Sequence, residues 1–228
     1  MSYSDVPAIS KTKINEAADL VARGKIKKGK TSDEELQDAM DIVNSWRVAH
    51  AYPLNTFNVN LRNKVRHLKD SIVAQRLKRM PTILDKLNRQ PNMQFTNMQD
   101  IGGVRAILNN NKEVRETVRK YKQSHNHILI DEKDYITHPR PEDGYRSHHL
   151  IYKYDNRLKS AKQYNGLRIE VQLRTKLQHT WATAVETMGA ILGQQLKARQ
   201  GQKEWLDFFT VVSSAFAHIE GFSPCAWL

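Results

Sequence analysis

A sheet domain with helices on its faces, α/β or α+β, is the fold class that this 228-residue chain predicts. Three observations predict it. Five short segments have the composition of strands, and runs of helical periodicity lie between and around them. Hydrophobic residues at 39% with charged residues at 26% give the balance of a globular domain rather than a disordered one. The octet LRIEVQLR, Leu167 to Arg174, alternates strictly between apolar and polar, the two-residue period of a half-buried strand. Leu167, Ile169, Val171 and Leu173 share one face; Arg168, Glu170, Gln172 and Arg174 share the other. That second face sets a carboxylate among guanidinium groups. It suits a metal ion that must meet a phosphate chain, or equally a solvated face of ion pairs.

The elements follow in order. Ser10 caps a helix from about Lys11 to Arg23, which Gly24 stops. GKIKKGKTS is a basic, glycine-bearing loop. Ser32, with Glu35 three residues on, has the capping-box spacing. It opens a helix whose apolar stripe is Leu36, Met40 and Val43, extended by Trp46. Pro53 is expected to stop this helical region at AYPLN. Phe57, Leu61, Val65 and Leu68 space a third helix. SIVAQRLK is the first strand, and Pro81 opens the short helix PTILDKLNRQ. GVRAIL, at the Gly102–Gly103 pair, is the second strand. Asn111 is expected to cap a helix to about Gln123. HILIDEKDYI and HHLIYKY are two more strands, joined by a loop with Pro139, Pro141 and Gly144. LRIEVQLR comes next, then a long helix that Thr175 can cap. A final amphipathic helix places Trp205, Phe208, Phe209, Val212, Phe216 and Ile219 on one side. The tail GFSPCAWL has no clear structural stop, so a truncated end is expected. The organisation reads as helical support over 1–60, a core over 61–190, and a C-terminal amphipathic helix over 191–228.

Composition narrows the function. No apolar run approaches the roughly 20 residues of a membrane span. MSYSDVPAIS lacks the basic start and apolar core of a secretory signal. The single cysteine, Cys225, allows no internal disulfide and no thiolate-built zinc site. A reducing, cytoplasmic setting is expected. The net charge is +12, and nine Lys or Arg between Arg62 and Arg89 face only Asp70 and Asp85. Such a surplus attracts nucleotides, RNA or DNA without choosing among them.

Four segments carry candidate chemistry. Arg76 and Lys78 share a strand face, and Lys86 lies four residues past Thr82 on the next helix. A strand–helix corner with cations and a helix N-terminus makes a phosphate cradle, or simply a basic surface. Asp100 stands just before Gly102–Gly103, where small residues let a ligand approach the backbone; a plain turn aspartate has the same look. In Asp143-Gly144-Tyr145-Arg146-Ser147-His148-His149 the tyrosine offers a ring for stacking on a base, and Arg146 and His149 can meet phosphates. Asp-Gly also marks ordinary hairpin turns. His148 and His149 point to opposite faces of a strand, which speaks against shared zinc. The fourth segment joins Glu170 and Arg174 to His179 and Trp181 in the first turns of the following helix, where packing is as natural a role as binding.

The ordered set RLKRMPTILDKL, DIGGVRAI, DGYRSHHLIY and RIEVQLRTKLQHTWA resembles the RelA/SpoT-type alarmone synthetase domain, from about Arg66 to Glu186. The resemblance implies an α+β fold: a mixed sheet of about five strands flanked by helices, nucleotidyltransferase-like, with helical N- and C-terminal additions. It implies a pyrophosphokinase that moves the β,γ-diphosphate of ATP onto a ribose 3′-hydroxyl, with Mg²⁺ as cofactor. By the same resemblance Asp100 holds the metal, and Glu170 is a metal partner and general base near the acceptor hydroxyl. Tyr145 stacks on the acceptor base, with Arg146 and His149 beside it. Arg76 and Arg105 sandwich adenine, while Lys78, Lys86 and Arg174 face phosphates. Gly102 departs from a motif that often has another small residue there, a change expected to be tolerated. The HPRPED loop looks longer than in many small synthetases, so Arg140 has no firm match. No His-Asp hydrolase motif precedes the core, so a small, synthetase-only protein is expected.

Three functions follow. One makes ppGpp or pppGpp from ATP and GDP or GTP. The second keeps the chemistry but acts as a toxin on the 3′-terminal adenosine of tRNA, and would be paired with a neutralising antitoxin. NSWRVAHAYPLNTF and QLRTKLQHTWATAVE look closer to that branch, and the positive charge suits tRNA. Retention of the stacking tyrosine leans to the nucleotide. The third is a catalytically silent RNA-binding module, against which the two acidic residues speak.

Overall fold

The computed structural model describes residues 3–24, 32–124 and 126–225; most of the GKIKKGKTS loop lies outside them. Helix α1 (Lys11–Arg23) is capped by Ser10, which accepts from the Lys13 amide, and ends at Gly24 in the left-handed conformation. Helix α2 (Asp33–Ala49) begins with the expected capping box of Ser32 and Glu35. Its buried stripe is Ala39, Val43, Trp46 and Ala49, so Leu36 falls outside it and is exposed.

Pro53 does not end the helical region. The break comes at His50, and Pro53 sits in the first turn of α3 (Ala51–Val65), where a missing N–H leaves no intrahelical bond unmade. His50 is buried, which pushes its imidazole down to about 4, and its Nδ1 lies 2.8 Å from the Trp46 carbonyl oxygen. The third helix ends before Leu68.

Strand β1 (Ile72–Leu77) leads into α4 (Met80–Arg89), with Pro81 near its start. Strand β2 (Gly102–Leu108) is followed by α5 (Asn111–Lys122). The cap of α5 is Asn110 rather than Asn111: its side chain accepts from the Glu113 amide. Strands β3 (Ile128–Asp134) and β4 (His148–Lys153) flank the proline-bearing loop. Strand β5 (Arg168–Thr175) runs into α6 (Lys176–Leu192), which Thr175 and Gln178 open with a second capping box. Helix α7 (Lys203–Ile219) follows. No helix among the described residues is long and apolar enough to cross a membrane.

The five strands form one mixed sheet in the order β1-β2-β5-β4-β3. Only β2 and β5 run parallel; the other neighbours are antiparallel. The apolar face of β5 lies in the main core with Val104, Leu150 and the α3 residues Phe57 and Leu61. Its polar face is left for the site.

The expected one-sided stripe of α7 is divided. Phe209 is buried with Thr210, Ser213, Ser214 and Ala217, whereas Phe208 and Ile219 are 51% and 70% exposed. Trp205, Val212 and Phe216 pack with Phe209 against Trp181 and Val185, and small side chains lie where a backbone loop approaches, as described below.

The glycine pair at the start of β2 has two jobs. A Cβ on Gly102 would stand 2.7 Å from Cδ1 of the fully buried Ile169, whereas one on Gly103 would meet nothing closer than 3.7 Å. Gly102→Ala is therefore expected to cost about 1–3 kcal/mol through overpacking. Gly103→Ala should stay within about 1 kcal/mol of the unaltered chain. Urea melts of the two variants test the difference.

Candidate active site

The pairing register gathers the site. Arg76 lies opposite Gly103, and Gly103 opposite Glu170; one step further, Ala74, Arg105, Gln172 and His149 form the next row. Side chains in these two rows share the sheet face that β5 turns away from the core. Gly103 contributes no side chain, so the surface beside the Glu170 carboxylate stays open.

Asp100 sits at the rim, just before β2. Lys78 Nζ and Lys86 Nζ each donate to one of its oxygens at 2.8 Å. Lys78 follows directly on β1, and its backbone N–H donates to the Ile101 carbonyl at 2.8 Å. Lys86 comes from the second turn of α4. Burial pushes the Asp100 carboxyl up, but Lys86 and Lys78 outweigh it and bring it down to about 2.

Glu170 Oε1 accepts from His149 Nδ1 at 2.9 Å, and Oε2 accepts from Gln172 at 2.6 Å. Burial pushes this carboxyl up and the Asp100 charge adds to that. The His149 imidazole and the Gln172 amide outweigh both, so the net shift is downward. Asp100 and Glu170, far apart in sequence, thus lie within electrostatic range of one another. His149 continues the chain of contacts: its Nε2 is 2.8 Å from the Tyr145 hydroxyl. Burial disfavours the imidazolium, but the Tyr145 oxygen and the Glu170 carboxylate carry it up to about 9. Burial likewise disfavours ionisation of Tyr145, but His149 and Arg174 bring its hydroxyl down to about 8.

The third cluster is cationic. Arg105 Nε and Arg174 Nη2 both donate to Gln172 Oε1, at 3.2 and 2.9 Å. A neutral amide thus serves where a carboxylate would cancel the charge. Burial lowers the Arg105 guanidinium, and repulsion from Arg174 and Arg76 lowers it further. Arg174 Nε and His179 Nδ1 are buried with no hydrogen-bond partner among the described residues. His179, in the first turns of α6, is lowered by burial, then by Arg174 and Arg105. A cluster of arginines held apart by an amide, with unused donors, is built to receive an anion.

Residues 75–188, half of the chain, match the model of the region found in RelA/SpoT proteins. The chain belongs to the RelA/SpoT family. Among curated proteins it is 29% identical over 119 residues to the GTP pyrophosphokinase YjbM of Bacillus subtilis, covering 51% of this chain and 55% of that one. It is 32% identical over 126 residues to the GTP pyrophosphokinase YwaC of the same organism, covering 53% and 56%. The chain thus spans about half the length of these relatives. The crystal structure of small alarmone synthetase 1 from Bacillus subtilis bound to its product pppGpp superposes with a TM-score of 0.66 at 21% identity, covering 78% of this chain and 92% of that one. The mixed sheet and its helices are the fold of that structure.

Against the RelA/SpoT motifs, the expected residues divide. Asp100, Lys78 and Lys86 meet in one cluster, and Glu170, His149, Tyr145 and Arg174 in a second. Arg76 and Arg105 lie diagonally across β1 and β2 on one sheet face, about 7–8 Å apart at their bases. Arg146 is the exception. It is 3% exposed and donates to the carbonyls of Ile136 and Ser223 at 2.7 and 2.8 Å, so it is spent on backbone rather than offered to an acceptor. Trp181 is a packing residue: its indole N–H donates to the Phe209 carbonyl at 2.7 Å. His148 turns to the opposite sheet face from His149, toward Glu132 and Asp134.

Two site residues escaped the sequence reading. Gln172 was visible as the polar member between Glu170 and Arg174, but nothing in the alternation marks an amide as a hub. Arg140 stacks on the Tyr145 ring, 4.4 Å from its centroid, while paired with Asp143. Its position five residues before the tyrosine was the only signal.

Could this donor set hold a metal? Among the described residues no group of three or more His, Cys, Asp or Glu could do so. Two neighbouring carboxylates alone suit a hard cation that takes its remaining ligands from phosphate and water, and their mutual repulsion is what such a cation relieves.

The sign of the acid sensitivity follows from Asp100. Its carboxyl titrates near 2 when folded and near about 3.9 when unfolded. Its share of stability is complete above about pH 4 and is lost as the pH falls toward about 2. Thermal melts between about pH 5 and 2 should show a steeper loss for the unaltered chain than for Asp100→Asn.

Proposed function

We propose that this chain is a pyrophosphokinase, transferring the β,γ-diphosphate of ATP to the ribose 3′-hydroxyl of GDP or GTP to form ppGpp or pppGpp. What carries the reading is the pair of Asp100, at the rim just before β2, and Glu170, on the neighbouring strand β5, bordered by Lys78, Lys86, Arg76, Arg105 and Arg174. The matched relatives named GTP pyrophosphokinases support a guanosine acceptor.

Phosphoryl transfer demands positioning and charge neutralisation more than covalent chemistry. Arg76 and Arg105 hold the adenine. Lys78, Lys86 and Arg174 meet the triphosphate. Asp100 and Glu170 would hold Mg²⁺, which when bound supplies neutralisation of the transferring phosphates. Glu170, kept ionised by His149 and Gln172, takes the proton of the acceptor hydroxyl. Tyr145, on the acceptor side of Glu170, offers its ring to the base. His149 joins the two by contacting both.

The deciding assay follows label from γ-labelled ATP. A labelled guanosine tetra- or pentaphosphate is expected; label in tRNA would shift the reading to the toxin-like acceptor, and label in neither would reject transfer altogether. Glu170→Gln and Asp100→Asn should each abolish transfer, by about a thousandfold or more, while melting as folded proteins. Tyr145→Ala should raise the acceptor KM about tenfold or more and leave the ATP KM in place, as measured by initial rates. Equal losses for both substrates would remove the stacking role.

A further inference from the structure

Helix α7 lies beyond the matched region, yet it and the segment after it hold the loop that carries Tyr145. On the N-terminal side of the tyrosine, Ser213 Oγ donates to the Gly144 carbonyl. Gly144 has a φ of +71°, and a Cβ there would stand 3.0 Å from Ser213 Cβ and 3.1 Å from Thr210 Cα. On the C-terminal side, Arg146 donates to the Ser223 carbonyl at 2.8 Å, while the Cys225 amide donates to Ser214 Oγ at 3.0 Å. Both neighbours of Tyr145 in the chain are therefore fastened to α7 or to the segment that follows it.

The face that α7 turns to the loop tells the same story. The helix buries an apolar stripe as amphipathic helices do, and beside that stripe it presents small residues to the loop. Phe209 is buried, and Trp205, Leu206, Val212 and Phe216 pack with it against Trp181 and Val185, while the buried Thr210, Ser213, Ser214 and Ala217 supply the small side chains near the loop. Small and hydroxylic side chains let the helix backbone come close to the loop backbone and bond to it.

We infer that α7 and the Ser223–Cys225 segment form a clamp that fixes the acceptor-side loop, with Ser213 and Arg146 as positioning residues for Tyr145. The inference rests on the reading above that Tyr145 meets the acceptor. It assigns to Arg146 a role through the tyrosine in place of direct contact with the acceptor.

The test uses the full chain with Ser213→Ala, Arg146→Met and Arg146→Lys. Initial rates are measured against ATP and against whichever acceptor, GDP or deacylated tRNA, the unaltered chain labels. Amide exchange is followed by mass spectrometry. Loss of one such bond should raise the acceptor KM about fivefold in Ser213→Ala, and more in Arg146→Met, with the ATP KM unchanged. Exchange over residues 140–147 should quicken while β5 keeps its protection, and Arg146→Lys should recover part of the loss. Unchanged exchange over 140–147 would overturn the clamp. So would a parallel rise of both KM values in variants that melt like the unaltered chain. If the unaltered chain labels no acceptor, the pyrophosphokinase reading fails, and the clamp stands or falls on the exchange data alone.

Discussion

The parallel register of β2 with β5 is the constraint from which the site follows. It sets the bare backbone of Gly103 next to Glu170 and, through the preceding turn, brings Asp100 into the electrostatic reach of that carboxylate. The Asp100 charge disfavours ionisation of Glu170, and the protein gives each carboxylate separate partners. Asp100 takes two lysines; Glu170 takes a histidine and an amide. Each anion is stabilised, yet neither is matched one-to-one with an arginine. The guanidinium groups of Arg105 and Arg174 are tied instead to Gln172. A carboxylate at that position would have closed the cluster on itself. An amide fixes the geometry and leaves the charge for a ligand.

The same economy of small residues runs through the fold. Gly102 lets β2 lie against Ile169, Gly103 clears the surface beside Glu170, and Gly144 lets α7 reach the tyrosine loop. In each case a side chain is missing because a backbone or a functional group must come near. The chain of contacts Glu170–His149–Tyr145–Arg174 then spans the face from the carboxylate to the cations.

Much of this was legible in the order of residues. The alternation of LRIEVQLR named the two faces of β5, and the capping box at Ser32 and the cap at Thr175 named two helix starts. The four RelA/SpoT-like segments supplied the candidate site residues, of which all but Arg146 lie in or beside these clusters. Arg146 misled because a cation next to a site tyrosine looks the same whether it faces a ligand or a carbonyl. Pro53 misled because proline is tolerated in a first helical turn as readily as it ends a last one.

Local periodicity, capping and composition are properties of neighbouring residues, so the sequence alone determined the elements, the polar face of β5 and the cationic character of the site. Which strand lies beside which, that Gln172 bridges two arginines, and that α7 turns its small residues toward Gly144 are relations between residues distant in the chain. Only the tertiary structure decided them, because register and close approach depend on how separate elements share one limited volume, and no local pattern carries that information.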